Sequence, residues 1–426
     1  MAADAEPHHP RRRTFRGFGY FSRVGPAIVT GAADDDPSGI GTYSQVGAAF
    51  GFGFLWTAVV TLPLAAAVQE VSARIGLTTG GGLATALKRR FPRWVLGVAV
   101  LLVTVANVFN IAADLGSMAA AIRLLAPLPV AVVMIAIVGA LLGLEIVVSY
   151  GRYARVLRWL TLSLVAYVAV LAVLHIDWSE VARATFLPRI TLDRTSLAAL
   201  IAIFGTTISP YLFFWQASEE AEEEELELDH GGAPVDGDHV AAMRGDVIAG
   251  MGSAVVVMFS IMVAAAATLH AEGLTTIGTA EEAARALRPI AGNLASLLFT
   301  LGIVGTGCLA IPVLAGSTAY ALAEAFGWHE GLGRTFREAR GFYLVIVAAG
   351  VLGLAIALAG LDPIRGLYWA AILNGVAAPP LILLMFLLAR DPGTVGTWRS
   401  GRLSTALVGL AFIVMAGAPL AYLLRR

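Results

Sequence analysis

The segment Ala33–Gly39, with the sequence ADDDPSG, interrupts an apolar stretch that runs from about Val24 to Phe50. An ionised aspartate near the centre of a bilayer costs roughly 2.5–3.5 kcal/mol on the insertion scale, and a proline there frees backbone carbonyls that lipid cannot hydrogen-bond. A membrane helix tolerates such a segment where it lines a cavity, and carboxylates with free carbonyls are the ligands of hard cations. The sequence therefore predicts a cation site at a break in the first membrane-spanning helix.

The composition is that of an integral membrane protein. The chain has 426 residues, of which 58% are hydrophobic and 14% charged, with a mean hydropathy of +0.78. Soluble domains carry about 25% charged residues. A net charge of −1 argues against nucleic acid as a partner, and the single cysteine, Cys308, is interpreted as a core residue. Because no HExxH, CxxC or nucleophile elbow is present, we predict no enzymatic activity and no cofactor.

We predict an all-α polytopic protein with eleven membrane-spanning helices, at about 24–49, 53–75, 95–123, 128–148, 155–175, 195–217, 241–268, 291–326, 341–360, 366–389 and 403–424. With the N-terminus in the cytoplasm, about 20 of the 29 lysines and arginines lie on the inner side, as the positive-inside rule requires. We therefore predict a plasma (inner) membrane protein with a cytoplasmic N-terminus. Residues 1–20 form a cytoplasmic tail without a signal peptide, and residues 21–426 form one transmembrane transporter domain.

A second span is also interrupted. Thr206–Pro210 (TTISP) follows Gly205 in the sixth predicted helix, five helices after the first break. An odd offset places the two copies in opposite orientations, and two broken helices at matching positions indicate an inverted-repeat transporter with a site near the midplane. The repeats would be about 24–175 and 195–389, with an extra helix at 403–424. The alternative is that one or both prolines merely kink a helix.

At these residues the chain resembles the NRAMP family of divalent-metal transporters. Asp36–Gly39 (DPSG) stands where the family has Asp-Pro-Gly-Asn, and Thr206–Pro210 stands where it has Ala-Thr-Val-Met-Pro. Gln69–Gly76 (QEVSARIG) and Asn374–Pro380 (NGVAAPP) are similar to segments after its second helix and within its tenth. The resemblance covers roughly residues 20–390. It implies a LeuT-type 5+5 inverted-repeat fold with helices 1 and 6 broken.

Carried over by position, the resemblance implies a metal site formed by Asp36, Gly39, Ser209 and the carbonyls of Ala33 and Thr206. Only Asp36 keeps the family's side chain, because Gly39 replaces an asparagine and Ser209 replaces a methionine. A thioether favours softer metals, whereas carboxylate, carbonyl and water suit Mg²⁺, Mn²⁺ and Ca²⁺, and Mg²⁺ usually keeps several waters. The family's magnesium-transporting branch is similar in lacking the methionine and carrying a glycine. We therefore predict import of hydrated Mg²⁺, with Mn²⁺ also transported.

Proton coupling is not expected. Tyr211 and Gln216 stand where the family's sixth helix carries histidines, and neither side chain titrates near pH 7. Asp114 could align with an acidic residue of the family's proton path, but it lacks a histidine partner. The membrane potential alone can drive uptake, since a divalent cation gains about 4.6 kcal/mol per 100 mV.

Four further residues are candidates for the site: Asp35, Gln45, Asp114 and Asn374. One of the aspartates that precede Asp36 would act through a water, because three successive side chains on a helix cannot all reach one ion; the alternative is a structural partner elsewhere in the bundle. Asp114 could instead hydrogen-bond the end of a broken helix. Asn374 would either orient a water on the ion or bond across helices.

The segment from Glu219 to Asp229 holds eight carboxylates in eleven residues. We interpret it as a solvated loop or helix end. The alternative is a low-affinity Mg²⁺ sensor or an exit funnel that concentrates cations.

Four alternatives to an uncoupled Mg²⁺ and Mn²⁺ importer remain open. They are a proton-coupled Mn²⁺/Fe²⁺ transporter of the same family, a LeuT-type carrier of amino acids or organic solutes, a divalent cation channel, and a non-transporting sensor. Three aspartates at the break would repel the carboxylate of an amino acid, and two broken helices in a single-chain repeat argue against a channel. The expected partners are the divalent ion and membrane lipid, and the transporter would be monomeric.

Overall fold

A computed structural model describes residues 30–31, 33–147, 164–188, 191, 193–229 and 235–425. These ranges contain helices and no strand. The α-helices are α1 (Pro37–Phe50), α2 (Trp56–Thr79), α3 (Leu83–Arg90), α4 (Arg93–Arg123), α5 (Val130–Val147), α6 (Val165–Val170), α7 (Trp178–Phe186), α8 (Arg194–Thr207), α9 (Pro210–Asp229), α10 (Gly237–Ala265), α11 (Ala280–Ala284), α12 (Arg288–Ala291), α13 (Ala295–Phe326), α14 (Arg340–Leu358), α15 (Pro363–Arg390), α16 (Pro392–Val395) and α17 (Arg402–Leu424). A π-helical turn, Ala266–His270, continues α10.

Nine helical segments in the described ranges are long and apolar enough to cross a membrane. They are Trp56–Thr79, Arg93–Arg123, Val130–Val147, Arg194–Glu225, Gly237–His270, Gly292–Phe326, Arg340–Leu358, Pro363–Arg390 and Arg402–Leu424. They correspond to nine of the eleven predicted spans, so the protein is a multi-pass membrane protein. The tail 1–20, the beginning of the predicted span 24–49 and the first part of the span 155–175 lie outside the described residues.

Both predicted breaks are present. Asp36 lies outside the helix with an extended backbone and caps α1, where its side chain accepts a hydrogen bond from the Gly39 amide, and Pro37 occupies the first helical position. Aspartate at the cap and proline just inside are favourable ways to begin a helix. In the sixth span α8 ends at Thr207, and α9 begins at Pro210. The sixth helix is longer than predicted, because α9 continues through the acidic residues to Asp229.

Helix α8, which precedes the second break, packs directly on α15. A Cβ atom added to Gly205 would lie 2.1 Å from the Ala371 carbonyl oxygen, and one added to Gly375 would lie 2.4 Å from the Ile201 carbonyl oxygen. Glycines that let two backbones touch are typical of packed membrane helices. The contact fixes the end of α8, and therefore the backbone of the second break, against α15.

A buried charged cluster joins α2, α10 and α17. The Glu70 carboxylate accepts hydrogen bonds from Arg74, from Arg244 Nε at 3.0 Å and from the Ser404 hydroxyl at 2.8 Å. Because the two arginines neutralise the carboxylate and every bond is charge-assisted, the cluster can be buried at a helix end. It attaches the final helix to the helices that surround the breaks.

Candidate metal site

The carboxylate of Asp36 lies between the two breaks and is 1% exposed. Its Oδ1 accepts from the Ser38 hydroxyl at 2.6 Å and the Gly39 amide at 2.7 Å, and its Oδ2 accepts from Asn110 Nδ2 at 3.0 Å. Among the described residues no basic side chain forms an ion pair with it. The backbone amide of Ser38 is a further hydrogen-bond donor to this carboxylate. Because a carboxylate has about four acceptor positions, a cation would share these oxygens with the donors.

The two predicted carbonyl ligands accept hydrogen bonds from hydroxyl groups of the sixth span. Tyr211 donates its hydroxyl to the Ala33 carbonyl at 2.8 Å, and Ser209 donates to the Thr206 carbonyl at 2.6 Å. A carbonyl oxygen has two lone pairs, so each can accept one hydroxyl and still face a cation. Both oxygens lie at the carboxyl ends of helical segments, where the partial charge is negative.

Ser38 and Thr206 bring the two breaks into contact, and Gly39 lies beside them. The Ser38 hydroxyl lies 3.2 Å from the Thr206 hydroxyl. A Cβ atom on Gly39 would lie 3.2 Å from the Asp34 carbonyl oxygen and 3.5 Å from Thr206 Oγ1. Gly39 has no positive φ angle, so its backbone does not require glycine. Glycine at position 39 instead leaves space beside the Asp34 carbonyl oxygen of the first break and Thr206 Oγ1 of the second.

Asp34 and Asp35 are buried beside Asp36. Within the described residues, both carboxylate oxygens of Asp34 and Oδ1 of Asp35 lack a hydrogen-bond partner, although buried polar atoms are normally paired. In the described part of the chain no group of three or more His, Cys, Asp or Glu side chains is arranged to hold a metal ion. The three aspartates therefore do not converge on one point, and the direct-ligand role of Asp36 stays a prediction.

The further candidates lie in different places. Asp114 is fully buried in α4, one helical turn after Asn110 and within electrostatic range of Asp36. Neither of its carboxylate oxygens has a partner in the part of the chain that the structure describes. Asn374 is buried in α15, and its side-chain amide has no partner among the described residues. Gln45 is not at the breaks, because its amide bonds the Thr275 carbonyl at 3.3 Å and the Ile277 amide at 2.9 Å.

Three residues near the site were not predicted from the sequence. Asn110 holds Asp36, and its signal was an amide one turn from Asp114 in an apolar helix. Tyr43, one turn after Gly39, meets the Thr207 hydroxyl at 2.7 Å. The sulfur of Met258 in α10 lies 3.8 Å from Thr207 Oγ1. Nothing in the sequence indicated that this thioether would reach the second break.

The acidic segment Glu219–Asp229 was predicted to be solvated, but its first residues contact other parts of the protein. Glu222 accepts hydrogen bonds from the Tyr320 hydroxyl at 2.5 Å and from the amides of Leu332 and Gly333 at 3.1 and 2.7 Å. Glu219 Oε1 lies 3.1 Å from the same tyrosine oxygen, whose single hydrogen is directed to the nearer Glu222. Because α9 continues without a break, it carries these carboxylates onto α13 and the loop after it. They anchor that loop.

Comparison with known proteins gives a family match over most of the chain. The family described as "Natural resistance-associated macrophage protein-like" (Nramp) matches residues 27–425. The divalent metal cation transporter MntH of Deinococcus radiodurans is 27% identical over 420 residues, covering 92% of this chain and 88% of that protein. The MntH protein of Pectobacterium carotovorum subsp. carotovorum is 28% identical over 406 residues, covering 91% and 92%.

Solved structures match the fold. The Eremococcus coleocola manganese transporter, in complex with an aromatic bis-isothiourea compound, superimposes with a TM-score of 0.72 at 18% identity, covering 95% of this chain and 87% of that one. MhsT in complex with L-phenylalanine gives a TM-score of 0.62 at 13% identity, covering 94% and 98%. Likeness at such identities establishes the fold alone. It confirms the predicted all-α, LeuT-type architecture.

Proposed function

The chain belongs to the NRAMP family, and from that premise we propose that it imports divalent metal ions by alternating access, with Mg²⁺ as its principal substrate and Mn²⁺ as a second. The similar MntH proteins are named divalent metal cation transporters, which supports the ion class. The preference for Mg²⁺ rests on the donor atoms at the two breaks.

The observation that carries this proposal is a group of oxygen donors that connects the breaks. The Asp36 carboxylate supplies charge, and the carbonyls of Ala33 and Thr206 supply dipoles. Ser209 and Gly39 stand at the positions where the resemblance implies a thioether and an amide. Oxygen donors favour hard cations, and the absence of two larger side chains favours an ion that keeps part of its hydration shell.

The hydroxyls of Tyr211 and Ser209 maintain the breaks between transport steps. Each donates to one of the carbonyl ligands, so the carbonyl oxygens are hydrogen-bonded without a metal. A buried carbonyl that lost its partner would cost about 1–3 kcal/mol. These hydroxyls lower that cost when the ion leaves, which supports a transport cycle that includes an empty site.

We also propose that transport is not coupled to protons. Tyr211 and Gln216 connect the first and sixth helices, because Gln216 Oε1 accepts from the Thr30 hydroxyl at 2.5 Å and Tyr211 donates to Ala33. They act as interhelical hydrogen-bonding groups. Asp114 is the carboxylate of α4 near Asp36, and without a histidine partner it makes a poor proton relay.

Uptake into reconstituted vesicles tests the proposal. With an inside-negative potential, we expect saturable entry of Mg²⁺ and Mn²⁺ without acidification of an enclosed pH dye. Acidification that follows metal entry would refute uncoupled transport. Non-saturable flux would indicate a channel, and inhibition of metal entry by amino acids would indicate an organic solute carrier. Vesicles without protein provide the baseline.

A transition-metal transporter is the second candidate, and Met258 is the observation that favours it. Its sulfur lies near the second break, where it could replace the soft ligand missing at Ser209. If Mg²⁺ is the principal substrate, Met258→Leu leaves the ratio of Mg²⁺ to Mn²⁺ uptake unchanged, whereas Ser209→Met shifts it towards Mn²⁺. A selective loss of Mn²⁺ uptake in Met258→Leu would favour the second candidate.

The orientation and domain limits are further proposals. The basic residues support a cytoplasmic N-terminus with a tail at residues 1–20. The two breaks support repeats at about 24–175 and 195–389. Protease digestion of right-side-out and inside-out vesicles tests the orientation. The tail should be cut in the inside-out vesicles alone.

A further inference from the structure

A basic cleft lies between the end of α15 and the start of α17, away from the two breaks. Its volume is about 730 Å³, and its lining includes Arg390, Arg399, Arg402, Phe386, Gly409 and Ile413. Arg390 and Arg402 are terminal residues of two apolar spans, Pro363–Arg390 and Arg402–Leu424. The three arginines therefore lie at the depth where the hydrocarbon region of the membrane ends.

The described residues do not balance the positive charge of the cleft. Among the described residues none of the three arginines forms an ion pair with a carboxylate, and the adjacent Asp391 instead pairs with Arg90. The Arg390 guanidinium lies 5.4 Å from the centre of the Phe386 ring. The hydroxyl of Ser400, which also lines the cleft, is buried and has no hydrogen-bond partner within the described ranges. Guanidinium and hydroxyl donors without acceptors suit a phosphate group.

The cleft continues as an apolar trough along α17. A Cβ atom on Gly409 would have the Phe386 ring as its nearest neighbour, at 3.6 Å, so the glycine leaves space between the two helices. Leu410 and Ile413 are 46% and 64% exposed beside it. At 1.5 Å per residue, the trough lies roughly 10–16 Å deeper along the helix than Arg402. A cationic mouth over an apolar channel of this length matches a phospholipid.

We propose that this cleft binds an anionic phospholipid, with its phosphate at the three arginines and one acyl chain along Gly409 to Ile413. Basic pockets between membrane helices are a known form of headgroup site. The positive-inside rule accounts for arginines at helix ends, but it does not require that three of them line one cleft above a glycine trough. A soluble phosphate ion would use the arginines and leave the trough unused.

Native mass spectrometry of the full-length protein in detergent tests the proposal. We expect phosphatidylglycerol to bind at least tenfold more tightly than phosphatidylcholine with the same acyl chains. Replacing all three arginines (Arg390→Gln, Arg399→Gln and Arg402→Gln) should remove the preference, at about fivefold for each charge lost. Gly409→Leu should weaken lipid binding by filling the trough, without changing the binding of glycerol phosphate.

Matched controls separate this site from general surface charge. Arg93, Arg337 and Arg340 are also exposed near span starts and lie outside the cleft, so their triple replacement by glutamine should leave the lipid preference intact. Equal loss in both triple variants would overturn the proposal. Displacement of the lipid by glycerol phosphate at equal concentration, with no effect of Gly409→Leu, would also overturn it, because the cleft would then be a simple anion site. If a triple variant does not fold, the comparison of phosphatidylglycerol with phosphatidylcholine on the wild-type protein still tests the proposal, and equal binding of the two lipids would overturn it.

Discussion

The helix-capping contact of Asp36 can be separated from its proposed role as a metal ligand. Its Oδ1 caps α1 by accepting from the Gly39 amide, and its negative charge is what we propose to hold the ion. Asparagine caps helices about as well as aspartate. A change to asparagine therefore removes the charge and keeps the cap.

Asp36→Asn is expected to fold normally and to reduce Mg²⁺ uptake by about 100-fold or more, since even residues behind metal ligands contribute 10–100-fold. Uptake into vesicles and thermal unfolding in detergent are the measurements. Asp193→Asn is the matched control, because Asp193 caps α8 through the Ser196 amide at 3.0 Å and lies outside the site. Transport that survives in Asp36→Asn would mean that this carboxylate serves the helix alone.

At the scale of the helix, the contact between α8 and α15 sets the position of the second break. Gly205→Ala would place a methyl group 2.1 Å from the Ala371 carbonyl oxygen, a backbone atom that cannot move aside. Overpacking of this kind costs about 1–3 kcal/mol. We expect a lower melting temperature and strongly reduced uptake.

Gly252→Ala is the control for that substitution. Gly252 lies inside α10, and an added Cβ would meet no atom within 4 Å. Alanine there should preserve uptake and raise helix propensity slightly. If the two variants behave alike, close approach of α8 and α15 is not required.

The acidic end of α9 gives a second prediction for helices. Glu222→Ala removes the acceptor for two loop amides, at Leu332 and Gly333, and should destabilise the protein by about 1–3 kcal/mol. Glu225→Ala removes the same charge, but its contact with Arg334 is an exposed pair at 3.4 Å, worth less than about 1 kcal/mol. Thermal unfolding distinguishes them, and equal losses would mean that net charge rather than the loop anchor matters.

At the scale of the whole molecule, the sequence predicted elements better than contacts. Hydropathy located nine spans, and the triple aspartate and the TTISP segment located both breaks, because each signal lies within one stretch of chain. The bond from Asn110 to Asp36 and the docking of Glu222 on residues 331–333 join parts of the chain far apart in sequence. Because glutamates are mostly exposed, the composition of this segment predicted that its side chains face solvent. The continuous α9 helix instead places Glu222 against the loop.

Stability of the whole protein should depend on pH through Glu330, in the loop that Glu222 anchors. Burial, followed by the charges of Glu324 and Glu222, raises the pKa of Glu330 from 4.5 to about 9, against a smaller opposing effect of Arg334. Between these pH values the folded protein keeps a proton that the unfolded chain has lost. Stability therefore falls as pH rises through this window, by at most about 1.4 kcal/mol per pH unit.

Glu330→Gln should reduce that decline, because glutamine stays neutral at every pH, and thermal unfolding in detergent from pH 6 to 9 measures the slope. Glu338 in the same loop is the control. Hydrogen bonds from the Thr335 amide and hydroxyl lower the pKa of Glu338. The stabilising effect of Glu338 is therefore lost as pH falls below that window. We expect Glu338→Gln to leave the slope of stability from pH 6 to 9 unchanged. Equal slopes in the wild type and Glu330→Gln would mean that another group sets the pH dependence.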